Sequence, residues 1–426
     1  GYQLFRGVNV PSKTFGELVE HALHTPRITA PELDAKVRAG ERLIILDGRT
    51  PAEYNKMNIP GGASCPNAEL PLRINQFVSD PTTTIVINCA GRTRSIMGAE
   101  NLRRFGVPNP ILALENGTQG WELAGLTLER GRDPGSLPAL SDRDRQNARE
   151  RARAFTSEQE IPLVDVATAQ GWQTEAGAVY CLDVRTAEEY AAGHLEGAVH
   201  APGGQLVQAT DQWVAVRGAR IVLCDDAMVR AAISAHWLRG MGHDAYVLDA
   251  PPTAFDTTAV PLSHTPPLFD NWREISAQQA QARVDSGAQL LDTSSSARYR
   301  RAHIEGARWV SRARLPTLDP GCEVIVTGED SAIAELVAHD LSTLGYNDIY
   351  WLDGAEKTWR DAKLNVVASP QVPPDEQCID FLFFVHDRHE GNLDAARAYL
   401  AWETGLLAQL DEQEQASLNP LGAARG

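Results

Sequence analysis

A chain of 426 residues is longer than one hydrophobic core organises, since cores stop growing near roughly 250–300 residues, so two to four domains are expected. Hydrophobic residues make up 43% and charged residues 22%, ordinary values for globular protein, and the longest apolar run, around 381–385, falls far short of the roughly 20 residues a bilayer span needs. The net charge of −17, uninterrupted by any Lys/Arg stripe, argues against nucleic acid as a partner and requires a site for a small anion to carry its own positive charge.

The chain begins Gly1-Tyr-Gln-Leu-Phe-Arg6-Gly7, with neither an initiator Met nor a secretory signal, which reads as a trimmed start. The same pattern recurs as Gly125-Leu-Thr-Leu-Glu-Arg130-Gly131, so residues 1–25 read as the tail of a preceding unit. A first unit, 26–131, contains Leu43-Ile-Ile-Leu-Asp47-Gly-Arg49-Thr-Pro-Ala-Glu53-Tyr54 followed by Gly61-Gly-Ala63. Residues 132–160 form a linker whose charged run from Ser141 suits a solvated helix.

A second unit, 161–250, repeats the pattern as Asp183-Val-Arg185-Thr-Ala-Glu-Glu189-Tyr190 and His194-Leu-Glu-Gly197-Ala198. After a Pro-rich linker at 251–274, a third unit, 275–367, has Asp292, Tyr299 and His303-Ile-Glu-Gly306-Ala307. In all three the Tyr follows the Asp by seven residues and the Gly by fourteen, so the chain holds one unit three times. Each unit goes on with the β-branched runs of a strand buried on both faces, near Thr84-Ile-Val-Ile-Asn88, Arg220-Ile-Val-Leu223 and Glu323-Val-Ile-Val326. Ala-rich helical stretches follow, and a closing strand near Ile111, Ala245 and Ile349. Strand alternating with helix implies α/β layers on parallel sheets. The tail, 368–426, has a helical stripe of Ala395, Ala398, Tyr399, Trp402 and Leu406, expected to dock on its own chain in preference to serving as an oligomer interface.

The pattern Asp-x-Arg-x-x-x-Glu-Tyr, then His-(Ile/Leu)-x-Gly-Ala, then a strand running into a Cys-headed loop and a helix, resembles the rhodanese (thiosulfate sulfurtransferase) superfamily over nearly all of 26–367. The resemblance implies three tandem parallel α/β domains and sulfur transfer through a persulfide on Cys89, with no metal or organic cofactor. Its partners would be a small sulfur donor such as thiosulfate and a thiol or cyanide acceptor, with no nucleic acid and no membrane. The loop Ala90, Gly91, Arg92, Thr93, Arg94 and Ser95 would bind substrate, its amide groups and two guanidinium groups stabilising thiolate and sulfonate charge.

The second loop, Cys224-Asp225-Asp226-Ala-Met-Val-Arg230, also spells a phosphatase-like spacing. Its two carboxylates should raise the thiol and repel anions, so a degenerate site is favoured over an accessory one at Cys224 and Arg230. The third loop, Thr327-Gly-Glu-Asp330, has no Cys, and Cys322 lies at the opposite end of its strand, so this unit reads as inactive. Asp47, Arg49 and Glu53 read as one buried ion-pair network, and Asn58 stands where the other units have His194 and His303, a structural position. Cys65, Cys181 and Cys378 read as packing residues, and His386 with His389 as a solvated pair, not metal ligands. Six scattered cysteines without a C-x-x-C pair fit a reducing cytoplasm.

Overall fold

The structure, a computed structural model, describes residues 11–173, 175, 177–258, 273–319, 321–378, 380, 387–389 and 391–421. The pattern at residues 1–7, most of the Pro-rich linker, the apolar run 381–385 and His386 lie outside the described residues. The described chain gathers into two units, one from 1–262 together with 391–426 and one from 263–390. No described helix is long and apolar enough to cross a membrane.

In the first domain α1 (Pro11–Leu23), β1 (Arg27–Ile28), α2 (Ala30–Arg38), β2 (Leu43–Asp47), α3 (Pro51–Lys56), β3 (Ala63–Ser64), α4 (Leu70–Phe77), β4 (Thr84–Asn88), α5 (Thr93–Arg104), β5 (Ile111–Leu114) and α6 (Gly117–Leu123) follow in order. The strands pair in parallel in the order β1-β5-β4-β2-β3. Successive side chains on a strand alternate in face. Ile45 and Val86 therefore enter one core with Leu33 and Trp121, while Leu46, Ile85 and Ile87 enter another with Leu70, Ala99 and Leu102. Helices cover both faces, which is why these strands read as unbroken apolar runs.

The second domain repeats the plan with α7 (Asp142–Glu158), β6 (Leu163–Val164), α8 (Val166–Gln173), β7 (Val179–Asp183), α9 (Ala187–Ala192), β8 (Val199–His200), α10 (Gly203–Gln208), β9 (Arg220–Cys224), α11 (Val229–Gly240) and β10 (Asp244–Leu248). Its parallel sheet is ordered β6-β10-β9-β7-β8. In the other unit β11 (Arg273–Glu274), β12 (Gln289–Asp292), β13 (His303–Ile304), β14 (Arg308–Trp309), β15 (Val324–Gly328), β16 (Ile349–Asp353) and β17 (Val366–Val367) give the parallel order β11-β16-β15-β12-β14. There β13 and β17 add an antiparallel pair.

The repeated spacing has a mechanical meaning. The Tyr hydroxyl donates to a carbonyl eight residues on, from Tyr54 to Gly62 at 2.7 Å, Tyr190 to Ala198 at 2.8 Å and Tyr299 to Ala307 at 2.6 Å. The preceding Gly61, Gly197 and Gly306 adopt φ of +78°, +79° and +83°, a region that glycine enters without strain from a Cβ. His194 and His303 stack on their Tyr at 4.0 and 3.8 Å, with Nδ1 2.9 and 2.6 Å from its carbonyl. Asn58 meets the same carbonyl through Nδ2 at 3.3 Å, a structural substitute for the imidazole.

Two sequence expectations need correction here. The linker helix α7 is not solvated all round: Ala148, Ala152 and Phe155 are buried, and Phe155 stacks on Phe105 of the first domain at 4.5 Å. Its arginines are also committed, Arg145 to Asp226 at 2.7 Å and Arg149 to Asp249 at 3.1 Å. The tail helix Leu393–Thr404 does dock on its own chain, against α1 and α6, on a stripe that keeps Ala395 and Leu406 of the expected one, half-buries Tyr399 and Trp402, and is rotated towards Ala396, Leu400 and Glu403. Ala395, Ala396, Leu400 and Glu403 are buried while Ala398 is exposed. An apolar count could not place the stripe, because one of its inward residues is a carboxylate.

Candidate active site

Cys89 follows β4 directly, at the carboxyl end of a central strand, where open α/β sheets gather ligands. Its carbonyl accepts from Thr118 N at 2.8 Å, and that of Ala90 from Gln119 N and Nε2, both at 3.1 Å, so the start of α6 fixes the loop from behind. Arg92 is the N-cap of α5 and provides no side-chain cap, which leaves the first amide groups of that helix without a capping acceptor. Cys89 Sγ lies 3.6 Å from Ser95 Oγ, and Ser95 is tied to the carbonyl of Arg92 at 2.7 Å.

Gly117 holds the back of this loop. At φ +54°, a Cβ there would lie 2.2 Å from the Cys89 carbonyl oxygen. Gly117→Ala is expected to destabilise the first unit by ~1–3 kcal/mol through strain and displacement, lowering the urea midpoint. An unchanged midpoint would mean the loop is not fixed from this side.

The two loop arginines are not free, which corrects the expectation of local positive charge. Arg92 Nε and Nη2 donate to Glu17 at 2.8 and 3.0 Å, and Nη2 also to Glu20, both on α1. Arg94 donates to both oxygens of Glu53 at 2.7 and 2.6 Å. Burial opposes the charge on each guanidinium, and the carboxylates outweigh it, so both are held above the usual arginine range. Burial pushes the Glu17 carboxyl up, against the pull of Arg92. Cys89 itself is 2% exposed, so reaction requires its surroundings to open.

Glu53 therefore accepts hydrogen bonds from the loop, and Arg49 acts on it only through its charge. The Asp47–Arg49 pair does stand, buried and joined at 2.7 Å, with Arg49 also reaching the carbonyl of Met57. The second domain repeats the arrangement, Glu189 binding Arg230. In the third the charges are exchanged, Arg298 lying 3.7 Å from Glu329. Comparing signs between the three repeats at the position before the Tyr would have exposed this link.

Burial raises the Glu53 carboxyl, but Arg94 outweighs it and brings it down to about 2. A carboxyl depressed below its unfolded value of about 4.3 stabilises in full above that pH, and the contribution fades as pH falls towards 2. The wild-type urea midpoint is accordingly expected to fall faster across that window than that of Glu53→Gln. Parallel pH profiles would sink the assignment.

The second loop differs in kind. Every nitrogen of Arg230 is taken: Nε and Nη2 by Asp225 at 3.0 and 2.7 Å, Nη2 by Asp226 at 2.9 Å, and Nη1 by Glu69 at 2.9 Å and by Glu189. Glu69 comes from the first domain, so this hub joins the two. The Asp225 carboxyl is buried, which raises it, yet Arg230 brings it below the usual range. Cys224 is fully buried and its thiol is pushed well up, first by the Cys181 sulfur 3.3 Å away and then by burial. The expected cause was the following aspartates, but they turn to Arg230 instead. Cys181, read as simple packing, is half-buried beside a surface cavity lined by Val166, Ala169 and Leu195. In the third domain Cys322 precedes β15, at the end of the sheet opposite the Thr327–Asp330 loop.

Comparison with known proteins agrees with this fold. A thiosulfate sulfurtransferase of Pseudomonas aeruginosa, known as a crystal structure, matches with a TM-score of 0.82 and 38% identity, covering 96% of this chain and 78% of that one. The "Putative sulfur carrier protein YrkF" of Bacillus subtilis (strain 168) is 31% identical over 102 residues, 24% of this chain. That match spans about half, 54%, of the curated relative. The rhodanese-like domain is matched three times, at residues 29–124, 160–250 and 276–362, over more than half of the sequence, and the chain belongs to the rhodanese-like domain family.

Proposed function

We propose that the chain is a sulfurtransferase that carries sulfane sulfur as a persulfide on Cys89. The observation that carries the reading is the position of Cys89, alone among the six cysteines in heading a loop that runs from a central strand into a helix and bears two arginines. Likeness to a thiosulfate sulfurtransferase over 96% of the chain supports the reaction class. The Cys89 thiolate attacks the outer sulfur of the donor, the donor S–S bond breaks, and sulfite departs when the donor is thiosulfate. An acceptor thiol or cyanide then attacks the outer sulfur of the persulfide and returns the Cys89 thiolate. The chemistry calls for neither metal nor organic cofactor.

A second reading is a sulfur relay that receives sulfur from a protein donor. It is favoured by one observation: the loop arginines are neutralised by Glu17, Glu20 and Glu53, which leaves thiosulfate little positive charge to find. Phosphatase chemistry at Cys224 is disfavoured by the saturated Arg230, which offers a phosphate no free nitrogen. The chain would work as a soluble cytoplasmic protein, with self-association as a further option.

Incubation with thiosulfate, followed by peptide mass spectrometry, is expected to find about 32 Da of added sulfur on the Cys89 peptide, removed by cyanide. Sulfur on no peptide, with no cyanide turnover, refutes the enzyme. Sulfur reaching Cys89 from a protein persulfide and not from thiosulfate selects the relay.

A further inference from the structure

Resting on the persulfide reading, we propose that Glu403 is a catalytic and specificity-determining residue of the Cys89 site: its free carboxylate oxygen takes the proton of a thiol acceptor and turns oxyanions away.

Glu403 lies in the last turn of the tail helix and is fully buried, although it sits 314 positions after Cys89 in the sequence. One of its oxygens is committed to holding the fold. Oε1 accepts from Thr93 Oγ1 at 3.0 Å and pairs with Lys13 Nζ at 3.2 Å, which fastens the tail helix to α1 and α5. Burial opposes the Lys13 charge, and Glu403 and Tyr399 hold it above the usual lysine range. The other oxygen, Oε2, is buried with no hydrogen-bond partner. It points at the loop: a methyl group added to Gly91 would lie 3.1 Å from Oε2 and 3.4 Å from Tyr399 Cε1. Glu403 also acts electrostatically on Arg92.

Two general costs oppose a carboxylate here. A buried polar atom without a partner loses its water and gains nothing in return. A negative charge in the last turn of a helix meets the negative end of the helix dipole. Docking the tail helix needs only Oε1, so the orientation of Oε2 towards Gly91 calls for another explanation. The charges point the same way: around the loop the described carboxylates Glu17, Glu20, Glu53 and Glu403 already occupy Arg92, Arg94, Lys13 and, 3.6 Å from Glu20, Arg27, so Oε2 faces the loop with no cation left over to balance it. An anionic acceptor such as sulfite meets repulsion there, whereas an S–H group meets an acceptor for its hydrogen.

In the transfer step the incoming thiol gives its proton to Glu403 Oε2 as its sulfur bonds to the outer sulfur of the Cys89 persulfide. The Cys89–sulfur bond breaks, its electron pair stays on Cys89 as thiolate, and the acceptor leaves as a persulfide. Glu403 then releases the proton to solvent. No oxidant or reductant is needed.

The test uses the full chain, loaded at Cys89 with excess thiosulfate and discharged either with 2-mercaptoethanol or with sulfite. Glu403→Gln keeps an amide oxygen for Thr93 and Lys13 while removing the charge and the base. It is expected to slow discharge to the thiol at least tenfold at saturating thiol, in kcat more than KM. Loading by thiosulfate and discharge to sulfite should become several-fold faster, and Glu403→Asp should restore part of the thiol rate. Equal changes with both acceptors, or no change, would overturn the assignment and leave Glu403 a structural residue. Thermal melting of each variant separates lost fold from lost chemistry. Failure of the wild-type chain to load at all refutes instead the persulfide reading on which the proposal stands.

Discussion

Cys89→Ser is expected to abolish sulfur loading and to lower thiosulfate:cyanide turnover by at least about 10³-fold in kcat/KM. A hydroxyl replaces a thiol of nearly the same shape, and the fixed backbone around position 89 depends on its carbonyl, held by Thr118, not on its side chain. Stability should therefore change little while the nucleophile is lost. No other cysteine is placed to compensate. Cys224 is fully buried with a thiol pushed well above its usual range, and Cys65 is likewise buried and raised, by burial first and then by Glu69. Cys224→Ser is accordingly expected to leave turnover within about twofold. Steady-state kinetics on both variants decide the matter, and substantial activity in Cys89→Ser would remove the site from the first domain.

Arg230→Met is expected to be the most damaging single change to the fold, at ~3–5 kcal/mol, because it keeps side-chain bulk and leaves carboxylates buried without their cation. Asp225 and Arg230 are both fully buried, Glu69 nearly so, and Asp226 partly. Glu69 has a second cation in Arg73 at 2.6 Å and Asp226 has Arg145 at 2.7 Å, so the loss falls mainly on Asp225. Urea unfolding followed by Trp fluorescence would measure it, Trp237 being buried on the same helix as Arg230 with its Nε1 donating to Asn101 Oδ1 of the first domain at 2.6 Å. A loss under about 1 kcal/mol would mean that the hub is not a cohesive element. Acidification should partly relieve the variant, since a protonated Asp225 needs no cation.

The architecture was largely legible in the sequence because its signals are local. Strand runs such as Ile85-Val86-Ile87 are apolar on both faces, and the Asp-to-Tyr and Asp-to-Gly spacings encode a hydroxyl-to-carbonyl bond and a left-handed glycine. The head of the site was legible for the same reason, Cys89 and its arginines lying within six residues. The partners of those arginines were not, since Glu53 stands 41 residues away from Arg94 and Glu17 stands 75 from Arg92. A guanidinium in a sequence carries no mark of whether it meets solvent, substrate or a carboxylate. The tail helix was read as apolar and expected to dock, but a hydrophobic count has no place for a buried glutamate, and so Glu403 was passed over.

The unit that holds Cys89 is discontinuous in sequence, with Thr93 and Glu403 meeting across 310 residues. At synthesis rates of about 5–20 residues per second, a nascent first domain would spend roughly 15–60 s with its sulfur nucleophile lacking that helix. During that interval Thr93 and Lys13, on two different helices beside the loop, lack the one carboxylate that ties them together in the finished protein. A shortened version carrying only the early repeats would never gain that clasp, so the last stretch of the chain to be made completes the surroundings of the first repeat.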